Sequence, residues 1–539
     1  MTALREAPTG SDGKTATRRA LPGQRWVSAC GLVCLVAVAL GLRLVPVVFA
    51  PSLNWGDEVF QTVEPAHRLI YGYGLVTWEF QVGMRSWLLP GTLAGLIGIA
   101  RIVGDGPEYY QTAIALALGL LACAPVVCCF LWCRRFFGLA GAVVAAWAVA
   151  VAPELVYFGA RTLNEVVAAH LLVIALYLVA PGTPVDNRRR LFGAGILLGI
   201  ICLLRLQLAP AVAVIALWPG SLPWRTRLPA LIGGGAATLL FGAALDWATL
   251  GYPLASVWRN LYYNLHLGIS SGFSVEPWFY YLLGEVGVWL AAAPFVLLLV
   301  ALGARRMPML LVVALVVVAV HSAIPHKEYR FIYPAVVLAM VLAAFGLAQL
   351  TQGAAQRLGA RGMRQGVATA ISVIAIAGGW SAVAFGVWSN GALALLRHRA
   401  HDELAAVNFV RDMPAPSCGV GLYGEEAWVR YGGYTHLHRP LPLYWPKDIA
   451  ALTASAAGFD TLIYDIAPQS PLAPPPPELG FAQLRCFGPI CVARRPGTCE
   501  PRPLPAMWFP PKLRGTAPAR PEFDAVPPRA RPDTAGQAR

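Results

Sequence analysis

Five side chains in succession, His326, Lys327, Glu328, Tyr329 and Arg330 in "AIPHKEYRFIYPAV", place an imidazole, an ammonium, a carboxylate, a phenol and a guanidinium between two membrane-length apolar runs. An ionisable group at the edge of a bilayer is costly enough to mark function. His326, Lys327 and Arg330 together call for an anion, and phosphate is the anion that Arg binds as a fork and Lys as a point charge. Far ahead in the chain, Asp57 and Glu58 follow the first apolar run directly. Carboxylates there serve as a general base or as metal ligands, but two adjacent ones make a poor complete metal site, and no metal is expected. A base facing a clamp for a departing phosphate describes a transferase. Arg205, in "LLRLQLAP", joins the expected clamp because no segment end lies near enough for it to snorkel toward. Glu64, His67, Glu79, Arg85, Arg161 and Glu328 are the supporting candidates. Blander readings stand beside three of them: Glu79 pairs with Arg85, His67 bonds within its loop, and Arg161 snorkels to the headgroups. With no Gly-rich phosphate loop, no nucleotide site and no cofactor are expected.

The elements that must position these groups are apolar helices. The chain of 539 residues is 57% hydrophobic and 13% charged, with a mean hydropathy of +0.58, which excludes an ordinary soluble domain. About eleven apolar segments are expected to cross the membrane as helices, giving an all-α polytopic membrane protein. The net charge of +14 falls in short clusters between segments, such as "CRRFFG", "DNRRR" and "GARRMP", as the positive-inside rule predicts. It marks topology rather than a nucleic-acid partner. The basic stretch 1–27 is then cytoplasmic, and the first run is an anchor, too long for a signal peptide. Residues 28–390 form the membrane domain. Its outward segments are the first outer loop 51–109, the turn near 159–164, 251–277 and the opening of "HKEYRF". This threading needs 87–104 to lie at the outer interface and 191–218 to be a hairpin of two half-length helices broken near Pro210.

Residues 395–500 change character, with short alternating runs such as "FDTLIYDI", and read as a small outward-facing soluble α/β appendage. Its four cysteines, Cys418, Cys486, Cys491 and Cys499, face an oxidising compartment in this topology, so one or two disulfides are expected, with the pairing open. The other seven cysteines read as small core residues. The Pro- and Arg-rich stretch 501–539 reads as disordered.

Three motifs, in order, carry a resemblance over roughly residues 25–390. "HKEYRFIYP" resembles the HKE-x-RF signature of family 22 glycosyltransferases, the GT-C mannosyltransferases of the asparagine-linked-glycan and GPI-anchor pathways. "DEVFQTVEPAHRLIYGYGLVTWEF", with "GMRS" after it, is similar to that family's first lumenal loop, and "YNLHLGISSGFSVEPWFYY" to a third family stretch. The resemblance implies a GT-C fold and a polyprenyl-phosphate sugar donor. It also implies inversion to an α-mannoside, Asp57 at the base position and HKEYRF near the donor phosphate. "RTLNE" departs from the family's usual sequence and leaves Asn164 without an assigned role. The expected partners are that donor, a glycan or glycolipid acceptor and membrane lipids. High Ala, Gly, Pro and Arg content points to a bacterial inner membrane with a periplasmic site, the endoplasmic reticulum being the alternative. Rival readings are a GT-C enzyme for arabinose, aminoarabinose or a protein acceptor, and a flippase for a lipid-linked anion. The last would place its site at the midplane and often shows inverted repeats, which the sequence lacks.

Overall fold

The computed structural model describes residues 22–180, 187–220, 222–273, 275–424, 427–468, 470 and 472–513; the expected cytoplasmic stretch lies almost wholly outside them. Among the described residues, six helical runs are long and apolar enough to cross a bilayer: Ser28–Phe49, Pro107–Val151, Trp224–Leu250, Tyr280–Ala304, Tyr329–Ala360 and Gln365–Asn390. At 1.5 Å per residue, a run of 22 residues reaches about 33 Å, against about 30 Å of hydrocarbon. Shorter apolar helices, Asn164–Val179, Arg188–Leu204 and Pro308–Ala323, fill the remaining segments of the bundle. The protein is a multi-pass membrane protein. Leu88–Ala100, the segment expected at the outer interface, is a helix of 13 residues, too short to span.

Helix Tyr333–Ala360 is the axis of the bundle, buried along nearly its whole membrane-facing length. Small residues let neighbours approach it: a Cβ on Gly303 would sit 2.0 Å from the Leu342 carbonyl oxygen, so helix Ala293–Ala304 can pack there only with glycine. Within Ala124–Val151, Gly138 takes φ 72° and ψ −167°, a backbone state essentially confined to glycine. It divides the run at the "CRRFFG" cluster. The half-length hairpin forms, but its break is at Arg205, which is extended at φ −147° and ψ 95° between Arg188–Leu204 and the 3₁₀ turn Leu206–Leu208. Pro210 instead lies in the first turn of helix Ala209–Leu217, where a missing N–H leaves no helical bond unmade.

The appendage carries a five-stranded sheet of β1 (Val420–Leu422), β2 (Leu443–Tyr444), β3 (Thr461–Asp465), β4 (Ala482–Phe487) and β5 (Ile490–Arg494), in the order β2-β1-β3-β5-β4. β1 runs parallel to β2 and β3, and β5 antiparallel to β3 and β4. β3 is the "FDTLIYDI" run. It is buried on both faces, Ile463 packing toward helix His401–Asp412 and the first outer loop, Leu462 and Tyr464 toward Phe459 and Tyr444. Two disulfides form, Cys418–Cys499 and Cys486–Cys491. The disorder expected from 501 does not begin there. Residues 501–513 lie against the protein, with Trp508 5.2 Å from the Phe273 ring and 6.2 Å from Trp78. Leu513 is buried with Trp78, Val82, Met84 and Ile269. Aromatic residues in the tail supply the apolar area that its proline content obscures. Residues 514–539 lie outside the described residues.

Candidate active site

Asp57 opens a helix that is wound as a π-helix over Val59–Val63 and continues as Glu64–Tyr71. Residues one apart on a helix diverge by about 100°, whereas residues four apart share a face. Asp57 and Gln61 therefore line one cavity of about 600 Å³, and Glu58 does not. The opposite wall comes from the HKEYRF turn, where the 3₁₀ segment Tyr329–Ile332 leads into Tyr333–Ala360. The floor includes Arg205 and Gln207 from the hairpin break, and the rim Asn260, Asn264, Ser270 and Ser271.

Arg330 is the hub. Its guanidinium, 2% exposed, pairs with Asp57, with Glu165 at 2.5 Å and with both oxygens of Glu328 at 2.8 and 3.1 Å. It stacks over Phe331 at 4.9 Å, and Arg205 stacks on the same ring at 4.7 Å while its Nε stands 3.8 Å from Glu165. Burial alone would raise Glu328; the Arg330 guanidinium and the hydrogen bond with His326 overcome it and hold the carboxyl well below its usual range. Glu79 accepts from the Gln61 amide at 3.1 Å and faces Arg85 at 3.7 Å. Burial pushes its carboxyl up against the opposing pull of Arg85. The buried Nε atoms of Arg85 and Arg205 make no hydrogen bond, so both guanidiniums on the cavity wall keep unspent donor capacity. His326 lies between the Phe273 and Phe331 rings, with Nε2 3.2 Å from Glu328.

Of the sequence-predicted residues, the structure brings Asp57, Glu79, Arg85, Arg205, His326, Glu328 and Arg330 to one cavity and removes five others. Glu58, expected beside Asp57 in catalysis, is buried and accepts from Arg161 at 2.7 Å and from the backbone N–H groups of Asn54 and Trp55. Arg161, which the bland reading sends to the headgroups, is fully enclosed, donating to Ser52 and stacking over Tyr157. The pair anchors the turn after the first span. Lys327, expected on the phosphate, does not line the cavity; its ammonium donates to the carbonyls of Glu276 at 2.8 Å, Ile324 at 2.7 Å and Pro325 at 3.4 Å. That uses all three of its protons and fastens the 251–277 segment to the HKEYRF turn. Glu64 and His67 face the appendage instead of the cavity. Glu64 accepts from the N–H groups of Leu75, Tyr434 and Thr435, and His67 bridges the Tyr73 carbonyl and His438.

The appendage seat titrates in two directions. Burial raises Glu64 to about 7, and burial lowers His67 to about 3 and His436 to about 4. A raised carboxyl contributes stability that is complete below about 4.5 and lost as pH rises through 7; a depressed imidazole contributes stability complete above about 6.5 and lost as pH falls toward its folded value. Between about 4.5 and 6.5 Glu64 offsets only one of the two histidines, so stability falls with acid by a net one proton. Below about 4.5 the two histidines act alone. Protection factors for amide exchange at residues 434–438 should fall with acid across that window and more steeply just below it; protection that is uniform down to pH 3.5 would refute the histidine contribution.

Sequence reasoning missed Glu165, which lies between Arg330 and Arg205, and the buried His321 on the cavity wall. The signal for Glu165 was present: a carboxylate in the first turn of an otherwise apolar helix, Asn164–Val179, is costly without a partner. Glu154 and Glu285 were missed too. The Tyr329 hydroxyl contacts both carboxyl groups. The one convergent group of metal-ligand types among the described residues, Cys418, Asp460 and Cys499, has its two sulfurs joined in a disulfide.

A helical membrane bundle with an ion-paired, cation-walled cavity under a soluble appendage is the architecture of a GT-C membrane protein. The structure of ArnT from Cupriavidus metallidurans bound to undecaprenyl phosphate has the same fold, with a TM-score of 0.56 at 15% identity over 89% of this chain and 100% of ArnT. The chain belongs to the Alg9-like mannosyltransferase family, whose model matches residues 34–438. It is 31% identical over 321 residues to GPI mannosyltransferase 3 of Yarrowia lipolytica, covering 58% of this chain and 62% of the relative. Against GPI alpha-1,2-mannosyltransferase 3 of Xenopus laevis it is 26% identical over 59% of this chain and 60% of the relative. The chain thus spans about three fifths of the length of these curated relatives.

Proposed function

We propose that this protein is an inverting α-mannosyltransferase. It takes mannose from a polyprenyl-phosphate donor at the outer face of the membrane, with about eleven spans, and extends a glycolipid or lipid-linked glycan. The observation that carries the reading is Asp57 held by Arg330 on the wall of a cavity that also carries the Arg85 and Arg205 guanidiniums and the His326 imidazole, groups suited to a phosphate. Family membership and the GPI mannosyltransferases among its relatives support the sugar and a glycolipid acceptor. The fold shared with ArnT, whose structure holds undecaprenyl phosphate, supports the lipid carrier. Both disulfides lie in the appendage, which supports an oxidising outer face, periplasmic or lumenal.

In this reading the acceptor hydroxyl oxygen attacks the anomeric carbon and passes its proton to Asp57. The bond from that carbon to the phosphate oxygen breaks, and the electron pair leaves with the polyprenyl phosphate. The proposed division of labour differs from the one expected from sequence. Arg330 is fully engaged by three carboxylates and orients the base, while Arg205 and Arg85 take the departing charge. A hydrogen bond to a charged group contributes about 1.5 to 3 kcal/mol. Arg205→Ala should therefore raise the donor KM roughly ten- to a hundredfold, and Lys327→Ala should leave it unchanged in whatever protein folds. Purified protein given radiolabelled polyprenyl-phosphate mannose and a set of glycolipid and lipid-linked-glycan acceptors should produce an α-linked mannoside. Transfer from an arabinose or aminoarabinose donor alone would overturn the sugar assignment.

A further inference from the structure

A second cavity, of about 370 Å³, opens on the appendage, within the range of about 300 to 1,000 Å³ typical of ligand pockets. Its walls are aromatic: Trp428 and Trp445, with ring centroids 6.3 Å apart, Tyr444 and Trp508. Lys447, exposed, stands at its edge with Ser455. Trp445 and Trp508 are only half-buried, so their rings present open surface to the groove. The pocket neighbours the cavity described above across a shared aromatic wall. Trp508 touches Phe273 at 5.2 Å and Trp78 at 6.2 Å, both of which line that cavity, and Phe273 touches His326 at 5.9 Å. A line of rings therefore runs from the groove to the HKEYRF turn.

We propose that this groove binds the glycan of the acceptor, holding sugar residues already in place while the terminal hydroxyl reaches Asp57. A pyranose ring has one face of C–H bonds and a rim of hydroxyls. The indole faces of Trp445 and Trp508 match the first, and the Lys447 ammonium is a donor for the second. Aromatic walls with a few polar groups at the edge are what fix such a ligand's orientation. Adjacency to the cavity across the Trp508, Phe273 and Trp78 rings selects the acceptor over an unrelated ligand, because only a molecule whose other end is reacting gains from both sites. The proposal rests on the transferase reading above and deepens it.

The test pairs binding with turnover in the full-length protein in detergent. Saturation-transfer NMR with a soluble α-linked mannotriose should show transfer from aromatic protons to sugar C–H protons, lost in Trp445→Ala and retained in Trp445→Phe. In transfer assays, Trp445→Ala should raise the acceptor KM about tenfold or more while leaving the donor KM and kcat within twofold. Trp445 touches no group of the catalytic cavity, so a merely structural role would instead lower kcat and stability together. Wild-type turnover with an unchanged acceptor KM in Trp445→Ala would overturn the groove and leave the transferase standing. Saturable mannotriose binding without any mannose transfer would do the reverse. Signals from phospholipid vesicles or a proline-rich peptide with none from mannotriose would also overturn it.

Discussion

Asp57→Asn should lower turnover by about 10² to 10⁴ and leave the protein folded, because the amide keeps the size of the carboxylate but cannot take the acceptor's proton. Folding should survive: Arg330 retains Glu165 and Glu328 when the Asp57 charge is lost, and Asp57 is about one-third exposed on its side chain. The contrast with its neighbour makes the experiment decisive. Glu58→Gln breaks the enclosed pair with Arg161, and removing one partner of such a pair costs about 3 to 5 kcal/mol. That loss should appear as reduced thermal stability and yield, with kcat per folded molecule little changed. Rapid transfer by Asp57→Asn, measured with the labelled donor, would move the base elsewhere; Glu79, also on the cavity wall, would be next.

The second large effect is at Arg330. Its replacement by Ala leaves Asp57, Glu165 and Glu328 converging with Arg205 near Glu165 and His326 beside Glu328, so activity should fall at least 10²-fold and stability with it. Arg330→Lys is the more informative change. An ammonium keeps the charge but cannot present a planar fork to three carboxylates at once. Asp57 then loses its orientation, and kcat should fall while the donor KM changes little. A residue that clamps the phosphate would show the opposite split, and one that only snorkels to headgroups would tolerate lysine silently. Steady-state kinetics with varied donor concentration separates the three. A donor KM raised alone would return Arg330 to the phosphate.

The motif pattern was legible because it is local. Apolar run length, basic clusters between runs and the residues within each motif depend on neighbouring residues only, and they suffice for the membrane class and for singling out Asp57, Arg205, His326 and Arg330, which line one cavity. The bland readings that survived were short-range as well: Glu79 with Arg85, and His67 as a structural residue, though its partners proved to include His438 of the appendage.

What the chain's order could not supply was direction and long-range partnership. Asp57 and Glu58 are adjacent and look equivalent, yet one helical step sends them to different cavities, and Arg161, 103 residues on, claims the second. Lys327 looks like a phosphate ligand until the backbone of 251–277 folds over it and the Glu276 carbonyl joins those of Ile324 and Pro325 in its own turn. Glu165 is unremarked in sequence because its two guanidiniums come from Arg205 and Arg330, on other elements. Four cysteines permit three pairings, and only the closeness of Cys418 to Cys499 and of Cys486 to Cys491 selects one. The physical reason is common to all of these: burial and ion pairing are energies of proximity, and tertiary packing alone decides which distant charges, carbonyls and rings come within a few ångströms of each other.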